Sequence, residues 1–202
     1  MLKRVNYFGL FLNDKDQLEL RQFGLTLLSK ILELVPIKNA FSNDSNQSIS
    51  SLAMHWKRVP SRLHVTTKYC GKMNTKENIE YLSMVQSSLE KKFTLMVSGF
   101  LLTDRTFSCR ASVDKSGEKL LKNAESNYSE SEICHVSLAC SRDCKAVQCK
   151  FAHMEASKSL GNLSRLECVA INEFGTVRKV TENSFFIQLH RPLSYETNFQ
   201  YQ

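Results

Sequence analysis

The chain has 202 residues, enough to bury a sizeable core as one domain or two small lobes. Its 42% hydrophobic and 23% charged residues are ordinary for a globular protein, and no apolar run approaches the roughly 20 residues that cross a membrane. The formal net charge of +7 is either a solvated surface with a basic bias or a field that attracts an anionic ligand or nucleic acid; without an arginine-rich tail, any positive feature must be assembled by the fold.

Met1-Leu2-Lys3-Arg4 has no apolar segment behind it, because Asn6, Gly9, Asn13 and Asp14 intervene, so no signal peptide is expected. Seven cysteines, an odd number, then read as reduced thiols of a cytoplasmic protein. Val5 to Leu12 reads as a buried strand, with Tyr7, Gly9 and Phe11 on one face and Phe8, Leu10 and Leu12 on the other. Asn13-Asp14 offers a helix cap. Asp16 to Val35 is helical, with Leu18, Arg21, Leu25, Leu28 and Leu32 at helical spacing and Pro36 as its stop. The polar, serine-rich stretch 39–51 reads as a loop, and His55 beyond it as a surface residue. A strand follows around His64. Asn74-Thr75-Lys76-Glu77 has the form of a capping box, opening a helix to Lys92 with Ile79, Leu82, Val85 and Leu89 inward.

Phe93 to Thr103 and Thr106 to Val113 alternate as the arms of a hairpin, with Gly99 marking a bulge or bend. A short helix and polar loop cover 116–131, a strand runs from Ile133 to Ser141, and Val147 to Leu160 is weakly amphipathic and helical. Arg165 to Asn172 and Ser184 to Leu189 read as closing strands around turns at Glu173-Phe174-Gly175 and Thr181-Glu182-Asn183. Helices interleave with strands that also pair as hairpins, which predicts an α+β fold with antiparallel sheets. The sequence has no GxGxxG and no P-loop, so neither a dinucleotide nor an NTP site is expected.

Two of the strands carry one short pattern. Leu63-His64-Val65-Thr66-Thr67-Lys68-Tyr69-Cys70 and Cys134-His135-Val136-Ser137-Leu138-Ala139-Cys140 each place a histidine two residues before a hydroxyl, and each runs on to cysteine. In a strand, i and i+2 share a face. His64 therefore shares a face with Thr66, and His135 with Ser137, while Val65 and Val136 turn to the core. One copy carries little, since a strand histidine is more often structural or solvent-facing. Two copies facing each other would bring two imidazoles and two hydroxyls to one point. Such a set suits an anionic phosphate with a proton moved on either side.

These strands, and their order among the other elements, resemble the 2H phosphoesterase superfamily. The flanks, together with Tyr7-Phe8-Gly9-Leu10-Phe11-Leu12, resemble the catalytic domain of the animal 2′,3′-cyclic nucleotide 3′-phosphodiesterase family, over nearly the whole chain. The resemblance implies one two-lobed domain over 1–202, with pseudo-twofold symmetry, two antiparallel sheets forming a central cleft, and helices outside. It implies hydrolysis of a 2′,3′-cyclic nucleotide or RNA end to a 2′-phosphate, with no metal and no cofactor, by a monomer. It also implies an aromatic stacked on the base at Tyr69, a tyrosine near the site at Tyr7, and a loop at Ala146-Val147 closing over the phosphate. The chain departs from the family pattern with Ser137 for threonine, Ala139 for glycine and Ile133 for arginine. It shows neither the kinase-like domain nor the C-terminal lipid anchor of the myelin enzyme, so no membrane partner is expected.

The groups dictate the chemistry. Water attacks the cyclic phosphate in line, one histidine takes its proton, and the other protonates the departing 3′-oxygen. Thr66 and Ser137 donate to non-bridging oxygens. His135 as base with His64 as acid, and the reverse, are both open. Two rivals stand beside this reading. Cys140, Cys144, Cys149 and His153 are four potential zinc ligands, though not at the spacing of the common fingers. A non-catalytic RNA-end binder would use the same fold and basic surface.

Overall fold

The structure, a computed structural model, describes residues 6–41, 57–58, 61–70, 75–122 and 134–202. Ile133, His55 and the 42–51 part of the serine-rich stretch lie outside the described residues.

The chain opens with β1 (Tyr7–Leu12), α1 (Asp14–Leu32) and α2 (Val35–Phe41), then β2 (Lys57–Arg58), β3 (His64–Tyr69) and α3 (Lys76–Val85). The hairpin β4 (Lys92–Thr103) and β5 (Thr106–Val113) leads into α4 (Lys115–Lys122), β6 (His135–Cys140) and α5 (Val147–Leu160). Three strands finish it: β7 (Cys168–Ile171), β8 (Gly175–Thr181) and β9 (Ser184–Tyr201).

Among the described residues, all strand pairs are antiparallel and belong to one sheet, in the order β2-β6-β5-β4-β9-β1-β3, with β7 and β8 added beside β9. The mixed, antiparallel architecture agrees with the α+β expectation. Two separate sheets were expected, and here one continuous ladder joins them. The physical reason is the length of β4 and β9, which pair from Lys92↔Asn198 to Thr103↔Ser184 and so run through both halves. The ladder slips between Val97 and Gly99, where a Cβ on Gly99 would lie 2.5 Å from the Ile187 carbonyl oxygen. Pro192, which has no N–H to donate, lies in the same register break. The sheet curls back on itself, so that Cα atoms of β3 and β6 come within 8 Å of each other.

One face of the sheet carries the main core. Phe8, Leu10 and Leu12 of β1, Val65 of β3, Phe107 and Cys109 of β5, and Val136 of β6 pack there with Leu20, Leu27 and Ile31 of α1. The other face carries a smaller cluster, Leu101, Phe186, Ala156 and Leu160, beneath α5.

Several local expectations need correction. Leu18 and Leu25 are exposed, because α1 turns Leu20, Gly24, Leu27 and Ile31 to the sheet. Gly24 fits closely there, since a Cβ would meet Leu138 Cδ1 at 3.0 Å. Pro36 does not simply stop α1; it sits in the first turn of α2, where its missing N–H costs nothing. Thr75 caps α3, accepting from the Asn78 amide, and Ile79 is exposed while Tyr81 is buried. The final strand continues well past Leu189 to Tyr201, and β8 adds a strand that the turn signals did not separate.

Candidate active site

His64 opens β3 and is half-buried. Its neighbours are on β1, whose Tyr7, Gly9 and Phe11 turn away from the main core. The Tyr7 ring stacks on the imidazole at 4.6 Å and the Phe11 ring at 4.9 Å. Gly9, opposite Thr66, leaves the space: a Cβ there would stand 2.8 Å from the Val65 carbonyl oxygen and 3.3 Å from His64 Cδ2. His64 Nδ1 lies 2.9 Å from the Arg62 carbonyl oxygen, which can only accept. The hydrogen is therefore on Nδ1, and in the neutral ring Nε2 is left as the proton acceptor. Burial lowers the His64 pKa below its ordinary 6.5, opposed by that hydrogen bond and reinforced by the Arg62 charge. The Arg62 guanidinium itself lies 4.8 Å from the Phe11 ring centre.

Tyr69 lies five positions after His64, an odd offset that a regular strand would turn to the opposite face. The β1–β3 ladder slips between Phe8↔Lys68 and Gly9↔Thr66, which leaves Thr67 as the extra residue. Thr67 turns inward and bonds to Tyr81 Oη at 3.0 Å. Tyr69 then pairs with Tyr7, on the His64 side of the sheet, and is 73% exposed. Tyr7 donates from its hydroxyl to Gln202 Oε1 at 2.6 Å.

His135 opens β6, and its cross-strand partner is Arg110 of β5, while Ser137 faces Ser108. Val136 and Cys109 point to the main core, so these four residues share the opposite face, the same one that carries His64. Helix α5 covers part of it. Buried His153 reaches from α5 to within 5.3 Å of the His135 ring, and its Nε2 lies 2.9 Å from Ser108 Oγ. Burial holds the His153 imidazole well below 6.5, and the His135 and Arg110 charges push the same way. Ser137 is buried and its hydroxyl donates toward the Ala146 carbonyl at 3.5 Å, just before α5 begins. Val147, the first residue of that helix, is exposed. Burial pushes the neighbouring Cys149 thiol up to about 11, so it is not a thiolate nucleophile at neutral pH.

Sheet and helix thus bring Tyr7, His64, Thr66 and Tyr69 together from β1 and β3, and His135 and Ser137 with the start of α5. The close approach of β3 to β6 brings the two groups toward one another. Three of the four candidate zinc ligands take other partners: Cys140 Sγ meets the Cys144 carbonyl, Cys144 Sγ meets Gln148 Oε1, and His153 bonds to Ser108. Among the described residues, no group of three or more histidine, cysteine or acidic side chains is arranged to hold a metal ion. Sequence reasoning missed Arg62, Ser108 and Arg110, and considered His153 only as a zinc ligand. Arg62 could have been found at i−2 from His64; the others need the β5–β6 register and the placement of α5.

The sequence profile of the family described as 2′,3′-cyclic nucleotide 3′-phosphodiesterase matches residues 5–201. A 2′,3′-cyclic-nucleotide 3′-phosphodiesterase of Pongo abelii is 26% identical over 155 residues, which is 70% of this chain and 37% of that protein. The protein of the same name from Rattus norvegicus is 24% identical over 206 residues, 96% of this chain and 49% of that one. The chain therefore spans half or less of the length of these relatives. A crystal structure of a fungal RNA kinase shares the fold with a TM-score of 0.51 at 14% identity, covering all of this chain and 46% of that one. A profile match over almost every residue decides the family: the chain belongs to the 2′,3′-cyclic nucleotide 3′-phosphodiesterase family.

Proposed function

We propose that this chain hydrolyses 2′,3′-cyclic phosphates, on nucleotides or RNA ends, to a 2′-phosphate and a free 3′-hydroxyl without a metal ion. The supporting observation is the matched placement of the two histidines. Each is the first residue of its strand, each lies on the sheet face away from the main core, and the two strands approach within 8 Å. The family profile and the names of the relatives support the same substrate class. On this reading the two halves act as lobes about one cleft, with His64 and His135 facing across it.

The reaction consumes one water. A histidine removes a proton from it as its oxygen bonds to phosphorus, opposite the P–O3′ bond. That bond breaks, and the second histidine gives its proton to O3′. Thr66 and Ser137 donate to the non-bridging oxygens, where charge grows in the transition state. His135 is assigned as base and His64 as acid. Burial and Arg62 keep His64 neutral in the free protein, and the negative charge of bound phosphate draws its pKa back up. Tyr69 offers its exposed ring face to the base, and the Ala146-Val147 segment lies over the phosphate.

The deciding experiment is turnover of 2′,3′-cyclic AMP, with and without EDTA, and of an RNA oligonucleotide ending in a 2′,3′-cyclic phosphate. Phosphorus NMR identifies the product. Formation of the 2′-phosphate at the same rate in EDTA is expected. A 3′-phosphate product, or loss of activity in EDTA, refutes the mechanism. Binding of the RNA end without turnover would identify the non-catalytic reading instead.

A further inference from the structure

Arg110 stands in an unusual position for a cation. It projects from the middle of β5, is half-buried, and is the direct cross-strand partner of His135. Residues directly opposite in an antiparallel pair place their Cβ atoms side by side on one face. Ser108 and Ser137 form the next pair on that face. Among the described residues no carboxylate makes an ion pair with Arg110. Its guanidinium carbon lies 5.9 Å from the centre of the Phe186 ring, at the outer limit of a cation–π contact. Burial is the one cause that shifts its pKa, and the shift is downward, against the charged form. Among the described residues, this half-buried guanidinium has five donors and an aromatic face for company but no anion.

We propose that Arg110 is the cation that grips the non-bridging oxygens of the substrate phosphate beside His135. This rests on the hydrolase reading above and deepens it. An arginine fork suits two phosphate oxygens at once, where the serine hydroxyls can donate only one bond each. The placement also separates duties within β5 and β6: His135 moves a proton, Ser137 donates a neutral hydrogen bond, and Arg110 supplies the positive charge.

The test uses Arg110→Met, which keeps an unbranched stem without the charge, and Arg110→Lys, which keeps a charge without the fork. The probes are 2′-AMP and adenosine, titrated by calorimetry, and turnover of 2′,3′-cyclic AMP. For Arg110→Met the affinity for 2′-AMP should fall at least about tenfold and kcat/KM on the order of 10²–10³-fold, the usual loss for one preorganised donor to a growing charge. Adenosine, which has no phosphate, should bind as it does to the wild type. Arg110→Lys should recover part of both losses. If Arg110→Met does not fold, a weaker 2′-AMP affinity in Arg110→Lys with adenosine unchanged supports the assignment. Wild-type 2′-AMP affinity in either variant overturns it, as does a wild-type chain that binds no 2′-AMP. A wild type that binds 2′-AMP but turns over no cyclic phosphate refutes the hydrolase reading alone, and the titrations still decide Arg110.

Discussion

Gly9→Ala adds one methyl group at the point where β1 meets β3, and the structure says where it goes. The new Cβ would sit 2.8 Å from the Val65 carbonyl oxygen, 3.3 Å from His64 Cδ2 and 3.3 Å from Phe11 Cε2. The first distance is shorter than real carbon–oxygen contacts, and its partner is backbone, so the two strands must part or twist. The second means that the His64 ring, held between Tyr7 and Phe11, must tilt as they do. Overpacking of this kind costs about 1–3 kcal/mol. In a chain of this size, each kcal/mol moves the melting temperature by about 2–4 °C, so a fall of roughly 2–12 °C is expected in differential scanning fluorimetry. Turnover of 2′,3′-cyclic AMP should fall further than stability suggests, by up to about 10²-fold, because a misplaced proton-transfer group loses its alignment. Gly161→Ala is the control. Nothing lies within 4 Å of its added Cβ and its φ is −61°, so turnover should hold and stability should hold or rise by up to about 1 kcal/mol. Wild-type melting and turnover in Gly9→Ala would show that the β1–β3 contact has slack and that Gly9 does not seat the ring.

The other predictions concern single groups. His64→Ala and His135→Ala should each lower kcat by on the order of 10²–10⁴-fold with folding retained; the variant lacking the acid should lose the alkaline limb of the pH–rate profile, and wild-type turnover in either removes that histidine from the mechanism. Tyr69→Ala should raise KM by the loss of about 1–3 kcal/mol of stacking with kcat and melting temperature unchanged, since the side chain is 73% exposed, whereas Tyr69→Phe should be nearly silent. An unaltered KM in Tyr69→Ala would refute the stacking role. Buried His153 stays neutral while the unfolded chain takes up a proton near 6.5, so stability should fall as pH drops below that value, by up to about 1.4 kcal/mol per pH unit. Urea unfolding from pH 7.5 to 5 should show a shallower fall in His153→Gln; an identical slope would rule out His153 as its source.

Much of the architecture was legible because it is written locally. The β4–β5 hairpin alternates over Phe93, Leu95 and Val97 and over Phe107, Cys109, Ala111 and Val113, so its bounds and the break at Gly99 followed from the pattern, and α5 was bounded as observed. Helix α1 shows the limit of periodicity. Leu18 with Leu25 makes as good a stripe as Leu20 with Leu27 and Ile31, and the packing of Gly24 against Leu138 and Phe107 chooses between them. The second half of β9 was obscured by Pro192 and by polar residues such as Ser194, Glu196 and Asn198, although Leu193, Tyr195, Thr197 and Phe199 alternate inward. At the site, the paired motifs pointed to His64, Thr66, His135 and Ser137, and family resemblance pointed to Tyr69. The residues that surround the histidines come from registers and helix placement. Arg110 meets His135, and Ser108 meets His153, across sequence separations that no local pattern encodes.

The order of the sheet has a consequence for how the protein is made. Strand β1 lies between β3 and β9, and its edge toward β9 is filled by Phe8↔Tyr201 and Leu10↔Phe199. During synthesis, β3 and its histidine leave the ribosome long before β9. Until β9 emerges, β1 and β4 each lack the neighbour that joins them, and the two histidine strands are held in separate, unfinished pieces of sheet. Pairing the early strands with the latest one is a closure of very high sequence separation, which makes folding slow and leaves strand edges exposed meanwhile. A ribosome stalled between β6 and β9 would hold a chain that already contains both histidines but lacks the strand that joins their two pieces of sheet.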